Sequence, residues 1–106
     1  MFISGTPGID PGTGELAGLD AASQTRQVLA TLQTLLASAG CRWGDVAHVN
    51  VCLRRVTDFE AKNEAYAAAC GPHRPARTVV CAADLPKPGA WLTMSLTALA
   101  PVDSPA

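Results

Sequence analysis

Ala47-His48-Val49-Asn50-Val51-Cys52-Leu53-Arg54 alternates apolar and polar side chains, residue by residue. A period of two marks a β-strand with one buried face, because successive side chains leave a strand on opposite sides. Val49, Val51 and Leu53 take one side; His48, Asn50, Cys52 and Arg54 take the other. The second set is too weakly polar for a fully wetted face, so something besides water is expected to meet it.

Upstream of this strand, Val28, Leu29, Leu32, Leu35 and Leu36 recur at the spacing of one helical face. Gln24, Arg26, Gln27, Thr31 and Gln33 fill the other positions, Asp20 is placed to cap the start, and Gly40 is placed to end the helix in a left-handed conformation. Downstream, Thr57-Asp58-Phe59-Glu60 has the form of a capping box, in which Thr57 and Glu60 satisfy each other's backbone amides. It opens a second predicted helix with Phe59, Tyr66, Ala67 and Cys70 on its inner face, stopped by Gly71-Pro72.

Thr78 to Ala82 is β-prone, and Asp84 to Ala90 is a loop fixed by Pro86, Pro88 and Gly89. Trp91 to Ala100 reads as a last strand, with Leu92, Met94 and Leu96 opposite Thr93, Ser95 and Thr97. At the other end Phe2-Ile3 reads as the tail of a strand, broken by Ser4 to Gly8, and Asp10 to Gly14 is turn chemistry. The order β-α-β-α-β-β predicts an α+β fold, a sheet with two helices on one face. Residues 1–100 are expected to form one domain and 101–106 a fraying tail. Two helices cover only one side of the sheet.

Bulk properties agree with that picture. A chain of 106 residues suits one domain, and its 48% hydrophobic content supplies a core. Charged residues make up only 16%, against roughly 25% in soluble domains. Such a weakly charged protein is expected to cover part of its surface with copies of itself. A formal net charge of −1 and the lack of any Lys/Arg run argue against nucleic-acid binding. No segment has the roughly 18 apolar residues of a membrane span, and Met1 to Gly5 lacks the form of a signal peptide. Cys41, Cys52, Cys70 and Cys81 are widely spaced, which reads as free thiols in a reducing cytoplasm. Combined with His48 and His73 they lack zinc-ligand spacing. Neither metal nor cofactor is expected.

Arg77 is the foremost candidate for chemistry. In Arg74-Pro75-Ala76-Arg77-Thr78 the proline fixes the approach and Arg77 falls at a strand start. Its guanidinium is a planar fork that matches a carboxylate, although the same pattern also describes an ordinary surface arginine at a strand edge. Arg74 reads as surface. His73 has no carboxylate nearby in sequence to orient it as a base, and His48 reads as a core or interface histidine. Cys52 and Cys81 read as buried thiols rather than nucleophiles. Ser4 is not in a nucleophile elbow, and Gly5, Gly8, Gly12 and Gly14 lack phosphate-cradling spacing.

Several motifs in order resemble the Rid (RidA/YjgF-like) family. Phe2-Ile3-Ser4-Gly5, with Asp10-Pro11 and Thr13-Gly14-Glu15-Leu16, resembles its "SGQ … DP-x-TGEL" opening. Gln24-Thr25-Arg26-Gln27, Leu35-Leu36 and Ala39-Gly40 are similar to its first helix, and Asp58-Phe59 with Asn63 and Tyr66 to its second. Pro75-Ala76-Arg77-Thr78 and Leu85-Pro86 match its "PARS/T … LP" signature. The resemblance implies a chorismate-mutase-like fold, a homotrimer with a pocket in each subunit cleft, and hydrolysis of short imines and enamines such as 2-aminoacrylate to 2-keto acids and ammonia. It implies that Arg77 clamps a substrate carboxylate and that the Val79 backbone hydrogen-bonds near the substrate. Ser4, Gly5 and Asn63 would line the cleft.

Two departures stand out. The family's preceding strand, with its "GPYSQ"-like motif, would lie before Met1, where this sequence starts just inside the following strand; either the true start is upstream or that edge strand is dispensable. The glutamate of the last-strand "VEIEA" is replaced by Ser95, or by Thr93 in a register two residues earlier. A hydroxyl at either position holds water without taking its proton near neutral pH. The alternative is therefore a Rid-fold protein that binds a carboxylate metabolite, or acts on a specialised imine, without the usual hydrolysis. Ribonuclease or translation-inhibiting activity, ascribed to some relatives, fits least, because no acid/base pair accompanies the near-neutral charge.

Overall fold

A computed structural model describes residues 1–55, 63, 64, 66–68 and 75–99. Strand β1 (Phe2–Thr6) is followed by helix α1 (Ala21–Ser38), a 3-10 turn (Trp43–Asp45), and strands β2 (Val46–Leu53), β3 (Ala76–Cys81) and β4 (Leu92–Ala98). Between β2 and β3, Asn63, Glu64 and 66–68 are helical. The strands form one mixed sheet in the order β1-β4-β2-β3. Strand β4 runs antiparallel to β1 and β2, whereas β3 runs parallel to β2. This is a small α+β fold.

The alternation in β2 holds. Val49, Val51 and Leu53 are buried, together with Leu92, Met94 and Leu96 from β4. They pack against Val28, Leu29, Leu32 and Leu36 of α1 and against Tyr66. Asp20 caps α1 by accepting the Ser23 N–H at 3.1 Å, and Gly40 closes it at φ +75.

Four expectations need correction. Ser4 and Gly5 do not break β1; the strand continues to Thr6, because a bulge between Ile3 and Thr6 absorbs the irregularity and preserves pairing with β4. Leu35 is exposed, since it lies at the rim of the apolar stripe rather than at its centre. Ala67 is exposed too; one position beyond buried Tyr66, it is turned about 100° around the helix.

Gln24 is the largest departure: assigned to the polar face, it is wholly buried. Its amide is satisfied by three backbone groups. Nε2 donates to the carbonyls of Gly18 (3.0 Å) and Gly89 (3.1 Å), and Oε1 accepts the Trp91 N–H (2.7 Å). A β-carbon on Gly8 would meet the Gln24 carbonyl oxygen at 2.5 Å, so only glycine lets that loop lie against the helix. The predicted capping box at Thr57, the inner-face residues Phe59 and Cys70, the Gly71-Pro72 stop, His73, Arg74 and the tail 101–106 lie outside the described residues.

Two stability predictions follow from these helix-end contacts. Gln24→Leu leaves two part-buried carbonyls and one part-buried N–H without their partner, and should lower unfolding free energy by about 1–3 kcal/mol in urea titrations. The Asp20 carboxyl is held below its ordinary value by the side-chain and backbone hydrogen bonds of Ser23. On acidification the unfolded chain therefore takes up that proton first, so the cap's contribution is present above the unfolded value and disappears as pH falls through the folded one. Asp20→Asn keeps an acceptor but does not titrate. The urea midpoint of the wild type should accordingly fall relative to that of Asp20→Asn between about pH 5 and pH 2; a constant difference would contradict the assignment.

Candidate functional site

Arg77 occupies the second position of β3, and Pro75 immediately precedes the strand. Its register partner is Val49, and that of Val79 is Val51. Paired residues on neighbouring strands share a face, so Arg77 and Val79 lie on the helix-covered side. Val79 packs against the core, while Arg77 remains half-buried at the sheet's edge. The second helical segment brings Asn63 and Tyr66, three residues apart and thus on one helical face, to the same place. The Arg77 Cζ lies over the Tyr66 ring, 5.0 Å from its centre. Asn63, Tyr66, Ala67, Pro75 and Arg77 line a cleft of about 390 Å³, within the size range of small-molecule sites.

The remaining candidates lie elsewhere. Ser95 pairs with Asn50 and Thr93 with Cys52, which puts both hydroxyls on the face away from the helices. Ser4 joins Asn50, Ser95 and Thr97 around a shallow depression of about 370 Å³. A β-carbon added to Gly5 would stand 3.8 Å from the Thr93 Oγ1. Two groups therefore emerge: Arg77, Val79 and Asn63 on the covered side, and Ser4, Gly5, Thr93 and Ser95 on the open side. Strands β3 and β4 are separated by β2, two strand spacings or about 10 Å. Within one chain the two groups do not meet.

The open face is chemically mild. Its strand residues include Phe2, Asn50, Cys52, Thr78, Val80, Thr93, Ser95 and Thr97, with no Asp, Glu, Lys or Arg among those described. Phe2 is 84% exposed there. His48 also lies on this face, its Nε2 3.0 Å from the Thr78 Oγ1. Cys41 is buried; of the two thiols expected to be buried, Cys52 is half-buried and Cys81 is exposed, a correction that follows for Cys81 from its place at the end of an edge strand. No helix among the described residues is long and apolar enough to cross a membrane.

Residues 1–100 match the family described as Endoribonuclease L-PSP. A RutC family protein of Pyrococcus horikoshii is 44% identical over 87 residues, which are 82% of this chain and 69% of that protein. The human 2-iminobutanoate/2-iminopropanoate deaminase is 34% identical over 87 residues, covering 82% of this chain and 64% of the relative. The crystal structure of Escherichia coli TdcF with bound serine superposes with a TM-score of 0.86 at 31% identity, covering 92% of this chain and 78% of that one.

The chain belongs to the Rid (YjgF/L-PSP) family.

Two features of this Rid protein were not read from its sequence. Tyr66 was assigned to the core, which is correct, but its contact with Arg77 joins residues eleven positions apart through the tertiary fold. The only local signal was the Asn63–Tyr66 spacing. The second is a surface cluster at the far end of β2. The guanidinium of Arg55 lies 3.8 Å from the centre of the Trp91 ring and that of Arg54 5.3 Å, and Arg54 also pairs with Asp84 at 3.4 Å. Trp91 Nε1 donates to the Leu19 carbonyl at 2.7 Å. This cluster ties the 82–91 loop to β2 and to the segment before α1, away from Arg77.

Proposed function

We propose that this Rid protein hydrolyses short imines and enamines bearing a carboxylate, releasing a 2-keto acid and ammonia. The observation that carries the reading is the cleft in which Arg77 stands beside Asn63 and the Tyr66 ring. A guanidinium at the mouth of a small, partly apolar cleft selects a planar anion, and a carboxylate fits its fork bidentately. The relatives' names support the same chemistry: 2-iminobutanoate, 2-iminopropanoate and serine each carry a carboxylate next to a carbon bonded to nitrogen.

The reaction is simple in outline. An enamine first tautomerises to its imine, and water then adds to the C=N carbon. The resulting carbinolamine expels ammonia and leaves the keto acid. The imine carbon is already electrophilic, so holding it against a positioned water supplies much of the rate gain. In this proposal Arg77 clamps the carboxylate, the Val79 backbone hydrogen-bonds beside it, and Ser4, Gly5 and Asn63 line the site. Ser95 or Thr93 holds the water.

Because Arg77 and Ser95 stand on opposite faces of the sheet, one chain cannot supply both. The site is proposed to form between copies, in a homotrimer whose subunits meet through the weakly polar strand residues of the open face. The second reading, carboxylate binding without turnover, draws on Ser95: its hydroxyl orients water but is not a base near neutral pH.

A continuous assay of keto-acid release from enzymatically generated 2-aminoacrylate tests the proposal. The wild type should exceed the spontaneous rate, and Arg77→Ala should return to it. Ser95→Glu, which introduces a base, should raise kcat by about 10²-fold or more. No release above background by wild type or Ser95→Glu, with pyruvate still bound through Arg77, would favour the binding-only reading. Native mass spectrometry should show three copies; a monomer that is active would contradict the shared site.

A further inference from the structure

We infer that Tyr66 is a positioning residue for Arg77, its ring holding the guanidinium in the attitude from which it can clamp a carboxylate. The inference rests on the proposed role of Arg77. It begins with the strand. Backbone pairing with Val49 fixes where the Arg77 Cα stands and which face its side chain leaves from. It does not fix the end of a long, rotatable side chain that is only half-buried.

The ring supplies what the backbone does not. Tyr66 is 4% exposed and belongs to the same packed cluster as Val49 and Val51, against which Val79 packs, so it is itself immobilised. Its face lies under the guanidinium, 5.0 Å from ring centre to Cζ. Attraction between a cation and an aromatic face draws on the charge of the guanidinium and on the ring quadrupole. It does not consume the in-plane N–H groups, which are the groups that grip a carboxylate. The ring also closes one side of the cleft to water, which strengthens the charge–charge contact. Asn63, three residues earlier on the same helical face, borders that cleft.

Site geometry therefore depends on an aromatic side chain that need not touch the substrate. Loss of a partly desolvated cation–π contact corresponds to about a tenfold effect on carboxylate affinity. Carboxylate binding is common to ground state and transition state, so the change belongs in KM rather than kcat.

The test compares Tyr66→Leu, Tyr66→Phe, Arg77→Ala and Leu36→Ala, the last a core variant outside the cleft lining that controls for lost stability. Steady-state kinetics with 2-aminoacrylate is paired with an NMR titration of the full chain by pyruvate, following the Arg77 Nε–Hε signal where Arg77 is present. Tyr66→Leu should raise KM and the pyruvate Kd about tenfold and shift the Nε–Hε signal as the ring current vanishes. Tyr66→Phe should leave all three as in the wild type, and adding Tyr66→Leu to Arg77→Ala should weaken pyruvate binding no further than Arg77→Ala alone. Should Tyr66→Leu fail to fold, Tyr66→Met gives the same comparison. Unchanged KM and Kd in Tyr66→Leu, or an equal loss in Leu36→Ala or Tyr66→Phe, overturns the inference while leaving the Arg77 clamp standing. No Arg77-dependent binding of pyruvate by the wild type overturns the clamp and this inference together.

Discussion

The central strand β2 pairs on both sides, and its alternation is imposed on its neighbours. Val49 fixes the side of Arg77 through one register, while Asn50 fixes the side of Ser95 through the other. A slip of one residue in either pairing would exchange the faces of every side chain on the slipped strand. The slip is opposed by burial: Val49, Val51, Leu92 and Met94 are all wholly buried, and exposing them would forfeit about 1.5–3 kcal/mol for each large side chain. The hydrophobic core thus determines more than stability. It decides which candidate functional groups can share a space.

The loops are held by a different means. Gly8 lets its loop lie directly against α1, and the Gln24 side-chain amide fastens two further segments distant in sequence. It receives the Trp91 N–H, and the Trp91 indole in turn donates to the Leu19 carbonyl. Buried polar groups are tolerable only when their hydrogen-bonding capacity is met, and here side chain and loops meet each other's. Strand β4 begins immediately after Trp91, so this fastening also fixes where Thr93 and Ser95 enter the sheet.

Periodic features were legible in the sequence; features made by loop contacts were not. The α1 stripe, the Asp20 cap, the left-handed Gly40 and the alternation of β2 and β4 each depend on residues close in sequence. Gln24 was misassigned because a polar side chain on a helix is ordinarily a solvent-facing one, and the carbonyls that bury it are six and sixty-five residues away. Ser4 and Gly5 were read as breakers because local turn propensity conceals a bulge that only pairing with β4 stabilises. Arg77 and Ser95 were both identifiable as candidates. Their separation was not, since it depends on the registers of two strand pairs, one of them parallel.

That separation gives the loss of the family's glutamate a specific meaning. A carboxylate in place of Ser95 would stand among the uncharged strand residues of the open face, where burial in the proposed trimer would raise its pKa and suit it to exchange protons near neutrality. Serine at the same position carries no charge to desolvate. In the proposed trimer one substitution would both make the face easier to bury and remove the site's proton acceptor. The proposed carboxylate clamp would be untouched by the exchange, because Arg77, Asn63 and Tyr66 are assembled on the other side of the sheet. Water attack then depends on proton transfer through solvent or through the departing nitrogen, whose own basicity rises once the carbinolamine has formed. An imine that is readily protonated, and hence strongly electrophilic before any base acts, is the kind of substrate such a site can still turn over.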